Sequence, residues 1–520
     1  MIQQLPSGIA ETIGKNRNLF RYLSELQKQQ PATQRSWLYE DLESEKVKEL
    51  WLQQLAKLQN GSLPEQMVFQ FDIKQLSKWG PQGGHAPMAK LLEEVVLPTF
   101  KDAKRPIAFE SLEWKAAISA SRKHLAQSGV GGIRMASYNR VIDDMKVRDT
   151  LSSNSGYPSF ARRSLNSVKE QAMKDAISGK YKDYPAIALF RTYRGKTRLV
   201  WMFPMATNLV EGTTYQPLQN ALVKCSSDFF SPWIGFDRVR ELITNAYDAG
   251  KYIAASDFSS TDAHFTVFSS DQVVKVLLPF MANSESATSL ANSINHMHII
   301  PLVIGPDQWI TGAHGVSSGS NWTNFIETVF DLSFAKYVNI KLKSIDGFYA
   351  IGDDMTWISD NYDVSFANKL ERLGKEVGQD IKAEKTTNDK DSVVTLQRLF
   401  QRGYSRPDGL LRGVYPTVRA LNSLLFPERF HSPKKWSSDM FCCRVFMILE
   451  NCVDHPLFEE FVKFVVKGNR HLIPFANQAS SKIDQAQRKT KLLPGLNPTY
   501  NQERRDSAMS TFESIRIARM

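Results

Sequence analysis

Phe348-Tyr349-Ala350-Ile351-Gly352-Asp353-Asp354-Met355-Thr356-Trp357-Ile358 places a Gly-Asp-Asp tripeptide between two aromatic and β-branched runs. Side chains of that kind favour strands. Two such runs around a short Gly/Asp loop read as a β-hairpin, with Asp353 and Asp354 at its tip. Gly and Asp are favoured in any tight turn for backbone reasons, so the tripeptide alone marks only a turn. Working outward, Lys251-Tyr252-Ile253-Ala254-Ala255-Ser256 is a second short, mostly apolar strand that ends on Asp257. Carboxylates from separate segments then face one another. Mg²⁺ takes oxygen ligands, often one or two carboxylates completed by substrate phosphates. Two such ions about 4 Å apart can clamp the attacking and leaving oxygens of an in-line displacement. The expected site holds two Mg²⁺ or Mn²⁺ ions, with Asp257 and Asp353 as bridging ligands and Asp354 in support.

Between these strands lies Ser317-Ser318-Gly319-Ser320-Asn321-Trp322-Thr323-Asn324. Trp322, Phe325, Ile326, Val329 and Phe330 recur at intervals of three and four, so a helix with a buried stripe follows the loop, capped by Ser320 or Asn321. Upstream, Arg191, Arg194, Lys196 and Arg198 put four cations in eight residues of an alternating, strand-like segment. The Lys-x-Arg spacing sets Lys196 and Arg198 on one strand face, and both groups suit phosphate. Gly195 allows a tight turn before the chain returns to a core through Leu199-Val200-Trp201-Met202-Phe203. Phe366, Leu370, Leu373 and Val377 predict a helix stopped by Gly378, with Lys382 and Lys385 beyond it.

The order of Ala255–Asp262, Ser317–Asn324 and Gly352–Asp354 resembles motifs A, B and C of viral RNA-dependent RNA polymerases. Four further segments fall in the order that resemblance requires. Ser153-Asn154-Ser155-Gly156-Tyr157-Pro158 is similar to the template-guiding motif G, and Arg191–Val200 to the basic hairpin of motif F. Ala383-Glu384-Lys385-Thr386 is similar to motif D, and Leu399–Gly403 stands where motif E would. Together they cover about Ser153 to Gly403, and the Ser-Gly-Ser-x-x-Thr-Asn form of motif B is most like picobirnaviruses, with partitiviruses next. The resemblance implies an α/β (α+β) right-hand polymerase fold, whose palm is a small antiparallel sheet backed by helices between fingers and thumb. It implies nucleotide contacts from Arg191, Lys196, Arg198, Asp262, Ser318, Gly319, Thr323 and Asn324. Ser155, Gly156, Tyr157 and Pro158 would touch the template. Lys385, with Lys382 as its competitor, would protonate the leaving pyrophosphate. Asp262, five residues after Asp257, would accept from the ribose 2′-OH and so favour RNA over DNA. In one respect the chain departs from the pattern: where many relatives carry an Asn four residues after the Thr, this sequence has Glu327.

Domain boundaries follow from motif order. Residues 1–75 form a helical N-terminal extension tying fingers to thumb, with an apolar stripe through Trp37, Leu38, Leu42, Val47, Leu50, Trp51, Leu55 and Leu58. Residues 76–205 are fingers, 206–267 palm, 268–312 a fingers insertion, 313–398 palm again, and 399–492 thumb, with helices around Met440–Leu449 and Leu457–Val466. Residues 493–520 are expected to be a basic tail, interrupted by Pro494, Gly495 and Pro498, that stays out of the thumb core and approaches the template channel. From Lys467 onward there are ten Lys/Arg against four Asp/Glu.

At 520 residues and 42% hydrophobic content the chain supports several packed subdomains. A formal charge of +11 suits a polyanionic partner. No apolar run reaches the length of a membrane span, and the N-terminus has no signal-peptide core. Cys225, Cys442, Cys443 and Cys452 have neither zinc nor disulfide spacing and read as reduced thiols of a cytosolic environment. His296 and His298 read as satisfied histidines. The expected partners are RNA template and product, ribonucleoside triphosphates and a viral capsid protein. The protein is expected to be a monomer in the virion interior and host cytoplasm. A reverse transcriptase-like enzyme and a non-catalytic RNA-binding, capsid-associated protein are the alternatives; Asp262 counts against the first and the intact acidic set against the second.

Overall fold

The structure, a computed structural model, describes residues 1–148, 150–429, 436–490 and 507–520. Its centre is a sheet of order β7-β8-β4-β9, built from β4 (Tyr252–Asp257), β7 (Ile345–Ile351), β8 (Asp354–Ser359) and β9 (Thr387–Asn388). All its pairings are antiparallel. One face carries the helix Trp322–Leu342, whose Phe325, Ile326, Val329, Phe330 and Phe334 are buried in the largest core cluster. The predicted hairpin and stripe are therefore both present, and they pack on each other.

A second sheet, of order β1-β6-β5-β2-β3, lies to the fingers side. It comprises β1 (Ile2–Gln4), β2 (Ala186–Tyr193), β3 (Lys196–Met202), β5 (Leu302–Val303) and β6 (Gln308–Ile310). β2 and β3 form the basic hairpin, turning through Arg194 and Gly195, both at positive φ. On the other side, β10 (Ser392–Thr395) and β11 (Arg398–Gln401) make a small hairpin leading into a helical region. That region is a separate core, built on the helices Thr417–Leu425, Ser438–Glu450 and Phe458–Lys467. The layout is the right-hand arrangement of fingers, palm and thumb.

The N-terminal extension spans both large cores. Ile13, Leu19, Leu23 and Leu26 belong to the first, whereas Leu38, Val47, Trp51, Leu55, Leu58, Val68 and Phe69 belong to the second. It is less uniformly helical than its stripe predicts: it starts as an edge strand on β6 and runs without helix between Leu26 and Ser44.

The C-terminus corrects the expectation of a free tail. Residues 493–506 lie outside the described residues, but 507–520 are built into the thumb. Met509, Phe512, Ile515, Ile517 and Ala518 are buried in its core. The Glu450 carboxylate accepts from the backbone N–H groups of Glu513 and Ser514, both at 3.0 Å, and from Ser514 Oγ at 2.7 Å. The apolar spacing Met509-Phe512-Ile515 wins over the local charge excess, because Arg516 and Arg519 keep their heads toward the surface while their neighbours pack inward.

Candidate active site

Asp257 ends β4 directly across from Asp354, the first residue of β8. The Phe258 N–H donates to Asp353 O at 3.2 Å, which locks the end of the first strand onto the hairpin tip. One carboxylate oxygen each from Asp257, Asp353 and Asp354 lies within 4.8 Å of the other two. Gly352 makes this possible. Its φ is +59°, and a Cβ there would come within 2.5 Å of Asn324 Nδ2. Its N–H donates to Thr328 Oγ1 at 2.8 Å, so the hairpin tip rests on the long helix.

The site is short of positive charge. Burial, then Asp353, pushes Asp257 up to about 6, against the pull of Lys385, Arg198 and Lys196. Burial, then Asp353, likewise pushes Asp262 up to about 6, opposed by Arg198. Asp353 is raised by burial; its carboxylate is open to solvent on one side but walled by protein on the others, which costs it hydration. Asp354 is raised by burial and then by Asp353 and Asp257, with Arg419 opposing. Carboxylates held this close resist ionising unless cations join them. All the donors are oxygens, the ligand type of Mg²⁺ and Mn²⁺, so the cluster fits two hard divalent ions.

Two further acids stand behind the tip. Glu327 and Asp331, one helical turn apart, are buried and raised well above the usual carboxylate range, first by burial and then by their acidic neighbours. Sequence reading singled out Glu327 only as a departure from a pattern and missed Asp331. An acidic i, i+4 pair inside an otherwise apolar stripe was the available signal.

The loop before the helix is fixed by close approach. A Cβ on Gly319 would lie 1.7 Å from the Trp201 carbonyl oxygen, so only glycine fits. Ser318 Oγ accepts from Trp201 N at 3.2 Å, and Thr323 Oγ1 donates to Ser317 O at 2.7 Å. The helix N-terminus is anchored by a residue absent from the sequence reading. Buried Glu211 accepts from Ser320 Oγ at 2.6 Å and from Asn321 N at 2.9 Å. Burial pushes Glu211 up to about 7 despite those bonds. Asn324 Oδ1 accepts from Trp233 Nε1 at 3.1 Å, which aims its amide at the hairpin.

The expected cations divide. Lys196 and Arg198 are exposed on β3 and act on the acidic cluster. Lys385 Nζ donates to Ser259 Oγ at 2.9 Å, two residues from Asp257, whereas Lys382 is spent on Asp380 at 2.9 Å. Arg191 does not point at the cluster as expected: its fork grips the Glu428 carboxylate with two 2.6 Å bonds, tying fingers to thumb. A bidentate partner more than 200 residues away leaves no trace in local spacing. Thumb residue Arg419, which acts on Asp354, went unpredicted for the same reason.

The template candidates also shift. Ser155 and Tyr157 are buried; Ser155 O accepts from Met205 N at 2.8 Å, and the Tyr157 ring lies 5.0 Å from that of Tyr184. A cavity of about 780 Å³ beside them is lined instead by Ser153, Asn154, Arg162, Arg191, Met202 and Gly319, among others. Ser155, Gly156, Tyr157 and Pro158 shape that wall from behind. The histidine and cysteine readings hold: His298 bonds Ser270 Oγ at 2.7 Å and the His314 carbonyl at 2.9 Å, and all four thiols are free.

A strand-end aspartate beside an Asp-Asp hairpin, under a basic hairpin and beside a glycine-tight loop, is the palm of a template-directed nucleotidyltransferase. Residues 193–413 match the family of viral RNA-dependent RNA polymerases; the chain carries that domain and is an RNA-directed RNA polymerase by class. It is 27% identical over 480 residues to a human picobirnavirus protein named as a potential RNA-dependent RNA polymerase, covering 88% of this chain and 86% of that one. Its fold is similar to the crystal structure of the RNA-dependent RNA polymerase of a human picobirnavirus, with a TM-score of 0.83, 23% identity and 99% of each chain covered. An insertion-loop deletion mutant of such an enzyme matches with a TM-score of 0.80 and 24% identity over 94% of this chain and 97% of that one.

Proposed function

We propose that this protein joins ribonucleoside monophosphates to an RNA 3′-hydroxyl by two-metal phosphoryl transfer, starting strands without a primer. It would replicate and transcribe a double-stranded RNA genome. The observation that carries the reading is the three-carboxylate cluster, held by separate strands and faced by Lys196, Arg198 and Lys385. Asp257, Asp353 and Asp354 would hold Mg²⁺ or Mn²⁺, which supply Lewis-acid charge at the attacking and leaving oxygens. Lys196 and Arg198 would receive the incoming triphosphate as point charge and fork. Asp262 and Asn324 would accept and donate at the ribose hydroxyls, so that a sugar lacking the 2′-OH leaves Asp262 unpaired. Lys385, hydrogen-bonded to Ser259 and beside Asp257, is the group that would give a proton to the departing pyrophosphate. The Gly319 loop, unable to accept a side chain, would keep nucleotide and template backbone close. The resemblance extends the reading to a monomer acting with a capsid protein in the virion interior and the host cytoplasm.

The test is incorporation on an RNA template with ribo- and deoxyribonucleotides compared, using wild type and Asp353→Asn. The reading expects ribonucleotide incorporation by wild type and nearly none by the variant, with RNA binding retained. Near-normal synthesis by Asp353→Asn would refute it.

A further inference from the structure

The thumb helix Thr417–Leu425 is held along its length by the N-terminal extension. The Asp72 carboxylate, fully buried, accepts from Thr417 N at 3.1 Å, Thr417 Oγ1 at 2.8 Å, Val418 N at 2.7 Å and His455 Nε2 at 2.9 Å. Trp51 Nε1 donates to Thr417 Oγ1 at 2.9 Å. Further along, Gly80 N donates to Asn422 Oδ1 at 2.8 Å, and Gln82 Nε2 to Phe426 O at 2.5 Å. The same extension holds the tip of the basic hairpin: Gln75 Oε1 accepts from Arg194 Nη2 at 2.7 Å, and Gln82 Oε1 from Arg194 N at 3.2 Å.

Three distant segments therefore meet at a fixed junction, and each brings a cation: Lys78 from the extension, Arg194 and Lys196 from the hairpin, Arg419 from the helix. They crowd one another. Burial, then Arg194, Arg419 and Lys196, lowers the Lys78 ammonium, and burial followed by Arg419 lowers Arg194. Lys78 and Lys196 are exposed and Arg419 half-buried, so the cluster is open to a ligand. Its side of the site is defined by which acid each cation reaches. Arg198 acts on Asp257, Asp262 and Asp353, the side of the proposed ribose reader, whereas Arg419 acts on Asp354.

We propose that this junction binds the triphosphate of the nucleotide that starts a new strand. The inference rests on the primer-independent reading above. Incoming nucleotides take the Arg198 side, so the growing end lies toward the thumb. At the first bond that end is itself a nucleoside triphosphate, and at later bonds no 5′-triphosphate is there. A polyphosphate of about four negative charges matches a crown of Lys point charges and Arg forks. The N-terminal extension, through Asp72, sets where Arg419 stands.

The full chain serves for the test, as wild type, Lys78→Ala, Arg419→Ala and Arg419→Lys. Two values are compared: KM for the starting nucleotide in unprimed synthesis, and KM for the next nucleotide on an annealed primer with a 5′-hydroxyl. Loss of one charged contact should raise the first by about tenfold more than the second, with partial recovery in Arg419→Lys. Wild type should also start from a nucleoside triphosphate in preference to a dinucleotide with a 5′-hydroxyl, and the alanine variants should lose that preference. Equal rises in both KM values would assign the cations to the incoming nucleotide and overturn the proposal, as would no change in either. Primed extension by wild type reads the polymerase assignment independently, so primed extension without any 5′-triphosphate preference overturns this inference alone.

Discussion

Metal binding should rise steeply with pH, because the cluster binds protons in place of cations. With Asp257 pushed up to about 6, only about one-tenth of it is ionised near pH 5 and about nine-tenths near pH 7. A metal that needs this carboxylate ionised gains about tenfold in apparent affinity over that interval from Asp257 alone. Asp353 and Asp354, raised by burial, steepen the rise further. Mn²⁺ titration followed by calorimetry in buffers of different ionisation enthalpy measures affinity and released protons together. Binding near pH 5 should release about one proton or more, and fewer near pH 7. The same shifts govern stability without metal. A carboxyl whose pKa is raised on folding binds more protons folded than unfolded. The metal-free protein is therefore best stabilised below the ordinary carboxylate value of 3.8 and loses that contribution as pH climbs through 6. Mn²⁺ should raise the melting temperature more near pH 8 than near pH 5. An affinity that stays flat between about pH 5 and pH 7 would refute the reasoning, since it would mean that the carboxylates are already ionised or do not bind the metal.

Three further outcomes are expected. Asp262→Ala should lower the preference for ribonucleotides over deoxyribonucleotides in competition assays, by about ten- to a hundredfold if the 2′-OH contact is lost whole. Gly319→Ala should abolish synthesis, because its Cβ would meet the Trp201 backbone oxygen at 1.7 Å; full activity would show that the loop yields there. Truncation before residue 507 should destabilise the thumb, as it strips buried Met509, Phe512, Ile515 and Ile517 from the core and leaves Glu450 without its partners. A truncated chain with an unchanged melting profile would contradict that packing.

What could be read from the sequence was what is local. The hairpin at Asp353 and Asp354 announces itself through strand propensity and turn chemistry within eleven residues, and the stripe from Trp322 to Phe330 through helical period. Order along the chain then paired Asp257 with them. The tail reading failed because composition was weighed over a short apolar period at the very end. Arg191 failed for a different reason: a basic strand facing phosphate and a basic strand facing Glu428 have the same local pattern. The residues missed altogether, Glu211, Asp331, Asp72 and Arg419, act through partners that only the fold assembles. Asp72 is the clearest case, with a carboxylate that caps a helix 345 residues further on. As the cap of another segment's helix, it satisfies two of that helix's first backbone donors, and it does so next to Arg419. The architecture thus makes the thumb side of the active site depend on the chain's first seventy-odd residues, a stretch that none of the recognisable motifs touches.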